Sequence, residues 1–162
     1  MSDLLIGIPM DYEPKTKNRF FAEFPSEIGI EIWKIQKFDR PKIDIDTVEI
    51  PWINETNYFA NKYKWQPVTI TLLDVIGPST GQQVMEWVRL HAESITGRMG
   101  YAAGYKKNII LKSLDPVGVT IEKWTLEQCQ ITNVDFTDND MESNEAQKIT
   151  LTLQPYRCIL NA

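Results

Sequence analysis

The sequence predicts a mainly β protein, an antiparallel sandwich or barrel that carries one α-helix and a long projecting hairpin. From Asn18 onward, short segments rich in β-branched and aromatic residues are separated by Pro, Gly, Asn and Asp. Only the segment from Ser79 to Ile95 has strong helical periodicity. A chain of 162 residues, 43% hydrophobic, suits one core. We therefore expect a single domain over 18–162 after an N-terminal arm over 1–17.

The candidate strands share alternating apolar and polar residues. They are the seven segments 18–24, 30–38, 42–50, 58–75, 108–114, 119–134 and 146–156. Pro67 marks a bend or edge position in the fourth, because proline cannot donate to a strand ladder. The sixth changes phase, which predicts a bulge near Lys123. Strands with unpaired edges need partners, and joining neighbouring subunits edge to edge would provide them.

The third and fourth segments predict the projecting hairpin, with its tip at 51–57. Asp44, Asp46 and Glu49 lie on one arm and Lys62 and Lys64 on the other, and opposed charges favour pairing by about 0.2–1 kcal/mol per pair.

Five aromatic residues cluster around this hairpin: Trp52, Tyr58, Phe59, Tyr63 and Trp65. Because lysines are interleaved with them, they could stack on single-stranded nucleic acid. Aromatic residues on an extended arm equally suit a contact with a neighbouring subunit. The acidic arm favours the subunit interface.

The helix is predicted to begin at Ser79, which forms a capping box with Gln82, and to end before Gly97. Its apolar face comprises Val84, Trp87, Val88, His91 and Ile95. We expect this face to cover one side of the β-structure, and Met99–Tyr105 to form a loop.

Charge and composition exclude several classes of protein. A net charge of −5 and a pI near 4.9 argue against tight nucleic-acid binding, although a polyanion could slide past an acidic wall. Cys129 and Cys158 lack the spacing of a zinc site and predict free buried thiols. The N-terminus lacks the basic flank of a signal peptide, and no apolar run reaches the roughly 20 residues of a membrane span. We expect a soluble protein made in the cytoplasm.

Catalytic motifs are missing from the sequence, so we expect no enzyme, cofactor or metal. His91 is the single histidine and predicts a core-edge residue rather than a general base. An alternative of another class, a carboxylate hydrolase or metal-binding β-domain, would use Asp44 and Asp46. The acidic segment 135–145 resembles a calcium loop but lacks the glycine that an EF-hand needs.

Four stretches together resemble the tail-tube proteins of contractile-tailed bacteriophages and of related contractile injection systems. They are NRFFAEF at 18–24, the hairpin region 43–74, QQVMEWVRLHAE at 82–93 and SNEAQKITLTL at 143–153. The resemblance covers nearly the whole chain beyond residue 17.

This resemblance implies hexameric β-barrel rings that stack into a tail tube and conduct the genome into the host cell. It implies a virion protein, assembled in the host cytoplasm, with these partners: further copies of itself, a tail sheath protein, a baseplate or hub protein, a tape-measure protein, and duplex DNA that passes without tight binding. The implied subunit interface comprises Pro51, Trp52, Asn57, Tyr58, Phe59, Tyr63, Trp65, Ser143, Asn144 and Glu145. The expected lumen-facing residues are Asp44, Asp46 and Glu122.

Two alternatives stay open within the same class. One is the inner tube of an extracellular contractile injection system that carries protein cargo. The other is a tail terminator or baseplate ring protein, which would stop at one ring.

Overall fold

The computed structural model describes residues 7, 9 and 11–161 and consists mainly of antiparallel strands. The strands are β1 (Phe20–Glu23), β2 (Ile35–Phe38), β3 (Ile43–Trp52), β4 (Glu55–Trp65), β5 (Val68–Leu73), β6 (Lys107–Leu114), β7 (Thr120–Asp135), β8 (Lys148–Gln154) and β9 (Arg157–Asn161). The helices are α1 (Thr80–His91) and the single turn α2 (Ala102–Tyr105), and a 3-10 turn over Ile32–Lys34 precedes β2.

Seven strands form one sheet in the order β1-β6-β7-β8-β5-β2, and β9 also pairs with β7. The long strand β7 pairs with β6 and β9 through its first part and with β8 through its last part. At Gln128, where β7 passes between these partners, the backbone adopts a φ of 51°. β8 and β9 follow one another along the same edge of β7.

The sheet curls until its two edge strands meet. The ring of Phe20 in β1 lies 5.0 Å from that of Phe38 in β2, in an edge-to-face arrangement. Side chains from both parts of the sheet and from α1 share one core, including Ile70, Leu111 and Trp87. The predicted sandwich or barrel with one principal helix is confirmed.

Two predicted strands are divided at prolines. The predicted strand 58–75 separates into β4 and β5 around Gln66 and Pro67, and the predicted strand 146–156 ends at Gln154 before Pro155. Proline lacks the N–H that would continue the ladder. After Pro155 the chain resumes as β9, which the sequence analysis did not predict.

The helix begins as predicted, because the Ser79 side chain accepts a hydrogen bond from the Gln82 amide at 3.5 Å. Its predicted end at Ile95 is wrong. Ala92 adopts extended backbone and forms a bridge with Met99, so the helix ends at His91 and Ile95 is exposed. Helical spacing alone could not show that the backbone turns away. The predicted loop before β6 contains α2.

The predicted bulge in β7 is present two residues earlier than Lys123. Ser113 pairs with Glu122 and Leu114 with Thr120, which leaves Ile121 as the extra residue. A second register shift lies at Glu127 and Gln128. Together these shifts let one strand serve both parts of the curled sheet.

Candidate assembly surface

The hairpin β3–β4 projects from the curled sheet and forms a separate two-stranded sheet. Its pairing runs from Ile43 opposite Trp65 to Trp52 opposite Glu55. Every residue of β3 is exposed, as is every residue of β4 except Trp65. The predicted projection is confirmed, but the tip is shorter than the predicted 51–57. Only Ile53 and Asn54 form the turn, so Pro51 and Asn57 belong to the paired arms.

The base of the hairpin is fixed to the barrel by aromatic packing and hydrogen bonds. Trp65 packs edge to face on Trp124 of β7, with ring centroids 6.2 Å apart. The Gln154 side chain donates a hydrogen bond to the Trp65 carbonyl at 2.9 Å, and the Gln66 amide donates to the Lys42 carbonyl at 2.9 Å. The two arms therefore leave the barrel in a defined direction.

One face of the hairpin base is apolar and lies beside the barrel. Cross-strand partners share a face, and Ile43 with Trp65 and Ile45 with Tyr63 form two such pairs. They line a cavity of about 410 Å³ together with Cys158 and Ile159 of β9. This base face therefore lies against the chain's own β9, although Ile45 and Tyr63 remain 58% and 64% exposed.

The apolar face of the tip points the other way. Alternation along β3 places Val48, Ile50 and Trp52 opposite to the side of Ile43 and Ile45, and Phe59 is the cross-strand partner of Val48. We call Val48, Ile50, Trp52 and Phe59 the tip face. Their exposed fractions are 41%, 51%, 72% and 51%. Within the described chain, no other element covers them.

The side of the tip that continues the base face is more polar, with Thr47, Glu49 and Thr56 next to Pro51 and Tyr58. A register shift between Ile45 and Thr47 lies where the apolar face changes sides. The hairpin therefore presents its base to the barrel and its tip face away from that side.

The register places one of the predicted opposed charge pairs together, since Asp44 lies directly opposite Lys64. No ion pair within 4 Å joins these two side chains, and the Asp44 carboxylate instead accepts a hydrogen bond from Gln66. Glu49 instead lies opposite Tyr58, and Asp46 lies at the register shift. Asp44 and Asp46 are exposed, as lumen residues must be.

Glu122 differs from those two aspartates because it is only 3% exposed. Its carboxylate accepts hydrogen bonds from Lys15 at 2.6 Å, Arg40 at 2.8 Å and Trp124 at 2.5 Å. Burial alone would raise its pKa, but the bonds from Lys15 and Trp124 and the charge of Arg40 hold the pKa below the ordinary value. A buried, paired carboxylate cannot line a channel, so we replace its expected lumen role with a structural one.

The expected interface residues Ser143, Asn144 and Glu145 are exposed in the acidic segment that joins β7 to β8. The Ser143 hydroxyl accepts a hydrogen bond from the Glu145 amide at 3.2 Å, which orders this part of the loop. Among the residues of the hairpin interface, Trp65 alone is partly buried.

Both cysteines are free and buried, as predicted. Burial raises the pKa of Cys129 and of Cys158 to about 12, so neither thiol ionises at neutral pH. His91 packs against the ring of Tyr105 with centroids 4.4 Å apart.

Residues 7, 9 and 11–161 contain no group of three His, Cys, Asp or Glu placed to hold a metal ion. Among these residues no helix is long and apolar enough to cross a membrane.

Sequence reasoning missed Val48 and Ile50 as members of the tip face. Strict alternation with Trp52 could have revealed them, since residues two apart share one side of a strand. It also missed the cluster of Lys15, Arg40 and Glu122, whose members are far apart in the sequence and have no motif.

Several solved structures share this fold over nearly their whole length. The tube-terminating cap of the anti-feeding prophage has a TM-score of 0.76 and 18% identity, covering 100% of this chain and 99% of that chain. A chain of the PVC sheath–tube complex, from an extracellular contractile injection system, has a TM-score of 0.73 and 18% identity, covering 94% of this chain and 94% of that chain. A chain of the PVC sheath/tube terminator has a TM-score of 0.73 and 17% identity, covering 94% of this chain and 99% of that chain.

No protein-family model matches the chain, and no curated protein matches it by sequence. At the identities above, the similarity shows a common fold. The chain therefore has the fold of tube and cap components of contractile injection systems.

Proposed function

We propose that this chain is a structural subunit whose hexameric rings stack into the tube of a contractile tail. The observation that carries the proposal is the tip face, four apolar side chains at the end of an anchored hairpin that lie away from the side packed on the barrel. An isolated two-stranded hairpin is marginally stable in water, so arms of ten and eleven residues need a partner along their length. A neighbouring subunit supplies it.

Free strand edges support the same assembly. Within the described chain β9 pairs only with β7, and the hairpin pairs only with itself, which leaves backbone donors and acceptors on outer edges. Joining such edges around a closed ring pairs them and gives a continuous inner barrel. The shared fold with tube components supports this geometry.

The proposed tube conducts the phage genome, and its wall does not bind the cargo tightly. The net charge of −5 per chain supports sliding rather than binding, because acidic residues of the wall repel the phosphates of DNA. This repulsion extends only about 8 Å at physiological salt, so it keeps the DNA off the wall without blocking the channel. Asp44 and Asp46 remain the proposed lumen residues. The proposed partners are a sheath, a baseplate or hub, and a tape-measure protein, and the protein resides in the virion tail after assembly in the host cytoplasm. The sheath–tube complex among the similar structures supports the first partner.

A tube terminator is the second candidate. The similarity to the anti-feeding prophage cap, which covers 100% of this chain, favours it specifically. A terminator would form one ring and stop, whereas a tube subunit adds ring upon ring. The same tube wall could also belong to an extracellular contractile injection system that carries protein cargo in place of DNA.

Negative-stain electron microscopy of the purified protein over a range of concentrations tests the proposal. We expect hollow rods with a regular axial repeat, longer at higher concentration. Single rings at every concentration would support the terminator. A protein that stays monomeric at high concentration would contradict both.

A further inference from the structure

A cleft of about 530 Å³ beside Glu122 is strongly basic in a chain that is acidic overall. Five cationic side chains line it, against the two carboxylates of Asp39 and Glu122, which leaves three positive charges in excess. The cations are Lys15, Lys17, Lys37, Arg40 and Lys42. Glu122 holds Lys15 and Arg40 at the edge of the cleft through two ion pairs.

The acidic segment 135–145 has the opposite character. It carries five carboxylates and no Lys or Arg, and all of its residues but Asp135 lie outside regular structure. Asp138, Glu142 and Glu145 are exposed, and within the described residues their side chains make no hydrogen bond or ion pair. Five like charges in one loop repel one another unless a cationic surface approaches them.

The cleft and the acidic segment lie at opposite ends of strand β5. The Asp39 amide, at the cleft, bonds to the Thr69 carbonyl near the start of β5 at 3.0 Å. The Asp74 amide, just beyond its end, bonds to the Gln147 carbonyl next to the acidic segment at 3.0 Å. The five steps from Thr69 to Asp74, at roughly 3.3 Å each, separate the two bonds by about 17 Å. The two surfaces therefore lie toward different ends of β5, with Gln36 beside the acidic segment and its neighbour Lys37 lining the cleft.

We propose that the basic cleft binds the acidic segment of a second copy of this chain, from the next ring of the tube. This inference rests on the proposed tube and adds its stacking contact. Two unlike surfaces at opposite ends make a head-to-tail contact that repeats without closing, which is the geometry of an open filament. Because the contact is electrostatic, added salt should shorten the rods through screening.

Charge reversal at each surface tests the contact. K17E/K42E makes the cleft acidic, and D138K/E142K/E145K makes the segment basic. Each variant alone then opposes like charges between rings. We expect the concentration needed for rods to rise at least about tenfold for each, since like-charge contacts cost several kcal/mol and 1.4 kcal/mol is tenfold.

An equimolar mixture of the two variants is the decisive experiment. The acidic cleft of one then meets the basic segment of the other, and the unchanged cleft meets the unchanged segment, so rods should return with alternating composition. R89E/R98E changes the net charge as much as K17E/K42E, on exposed residues at and beyond the end of α1, and should form rods like the wild type.

The outcomes separate this inference from the proposed function. If the wild type forms rods and both reversed variants also form them at the same concentration, the stacking contact is wrong and the tube proposal stands. Variants that stay folded by circular dichroism but form no rods when mixed would also overturn it. A monomeric wild type would overturn the tube proposal and this contact together.

Discussion

Strands β8 and β3 share the same alternation of apolar and polar residues, yet the apolar face of β8 is buried and that of β3 is exposed. Ile149, Leu151 and Leu153 of β8 are fully buried between neighbouring strands. Val48 and Ile50 of β3 are about half exposed, and the whole strand lies outside the core. Alternation therefore predicts that a strand has an apolar side. Whether the same chain or a neighbouring subunit covers that side depends on where the strand lies in the fold.

The largest expected effect contrasts one substitution in each region. Leu151→Ala should lower the free energy of unfolding by about 2–5 kcal/mol, because it leaves a cavity in the core. Ile50→Ala, its control in the hairpin, should change the free energy by less than about 0.5 kcal/mol in dilute protein. Urea unfolding followed by tryptophan fluorescence measures both. Equal losses would mean that the tip face is part of the chain's own core.

The second effect concerns the buried carboxylate of the barrel. Glu122→Gln should cost about 1–3 kcal/mol at neutral pH, because it removes charged hydrogen bonds to Lys15 and Arg40. The folded-state pKa of Glu122 is lowered, so its contribution is present above the ordinary value of 4.5 and is lost as the pH falls through the folded-state pKa.

Unfolding at several pH values checks this sign. The difference between wild type and Glu122→Gln should shrink below about pH 4.5. Glu27→Gln provides the comparison, since the Glu27 side chain is 69% exposed although its partner Lys107 is only 13% exposed. It should cost less than Glu122→Gln, because solvent around the carboxylate weakens the ion pair. A constant difference down to acid pH would mean that the carboxylate charge is not responsible.

The third effect has the opposite sign and lies at the hairpin turn. Ile53 adopts a φ of 50°, which is unfavourable for a β-branched residue. Ile53→Gly should raise the stability of the hairpin by about 0.5–1 kcal/mol, because glycine adopts this conformation freely. Ile53→Ala removes the side chain but keeps a Cβ, so it should give a smaller gain. Hydrogen exchange of the β3 and β4 amides measures both, and equal gains would contradict the backbone explanation.

The sequence predicted the hairpin and the barrel because alternating residues and prolines act locally. It placed the turn too widely, since Pro51 and Asn57 are typical turn residues but here pair within the arms. It extended the helix to Ile95, whose spacing fits a helix although the backbone leaves at Ala92. Local pattern could not show these departures.

The candidate surface was predicted in part for a similar reason. Trp52 and Phe59 were expected at the interface from residue type, whereas Val48 and Ile50 join them only once the faces of β3 are known. Glu122 could not be assigned from sequence, because one step of register moves a side chain from solvent to core. Its partners Lys15 and Arg40 come from distant parts of the chain.

The tip face itself should contribute least to the stability of one chain and most to assembly. In W52S/F59S the two exposed aromatic residues of the tip face are lost, while the packed base at Trp65 and Trp124 is untouched. The control I95S/Y101S removes two exposed apolar side chains outside the hairpin. Both variants should unfold within about 0.5 kcal/mol of the wild type.

Negative-stain electron microscopy of wild type, W52S/F59S and I95S/Y101S at one high concentration tests the central claim most directly. We predict rods from the wild type and from I95S/Y101S, and a folded protein without rods from W52S/F59S. Normal rods from W52S/F59S would contradict the claim that the tip face joins one subunit to the next.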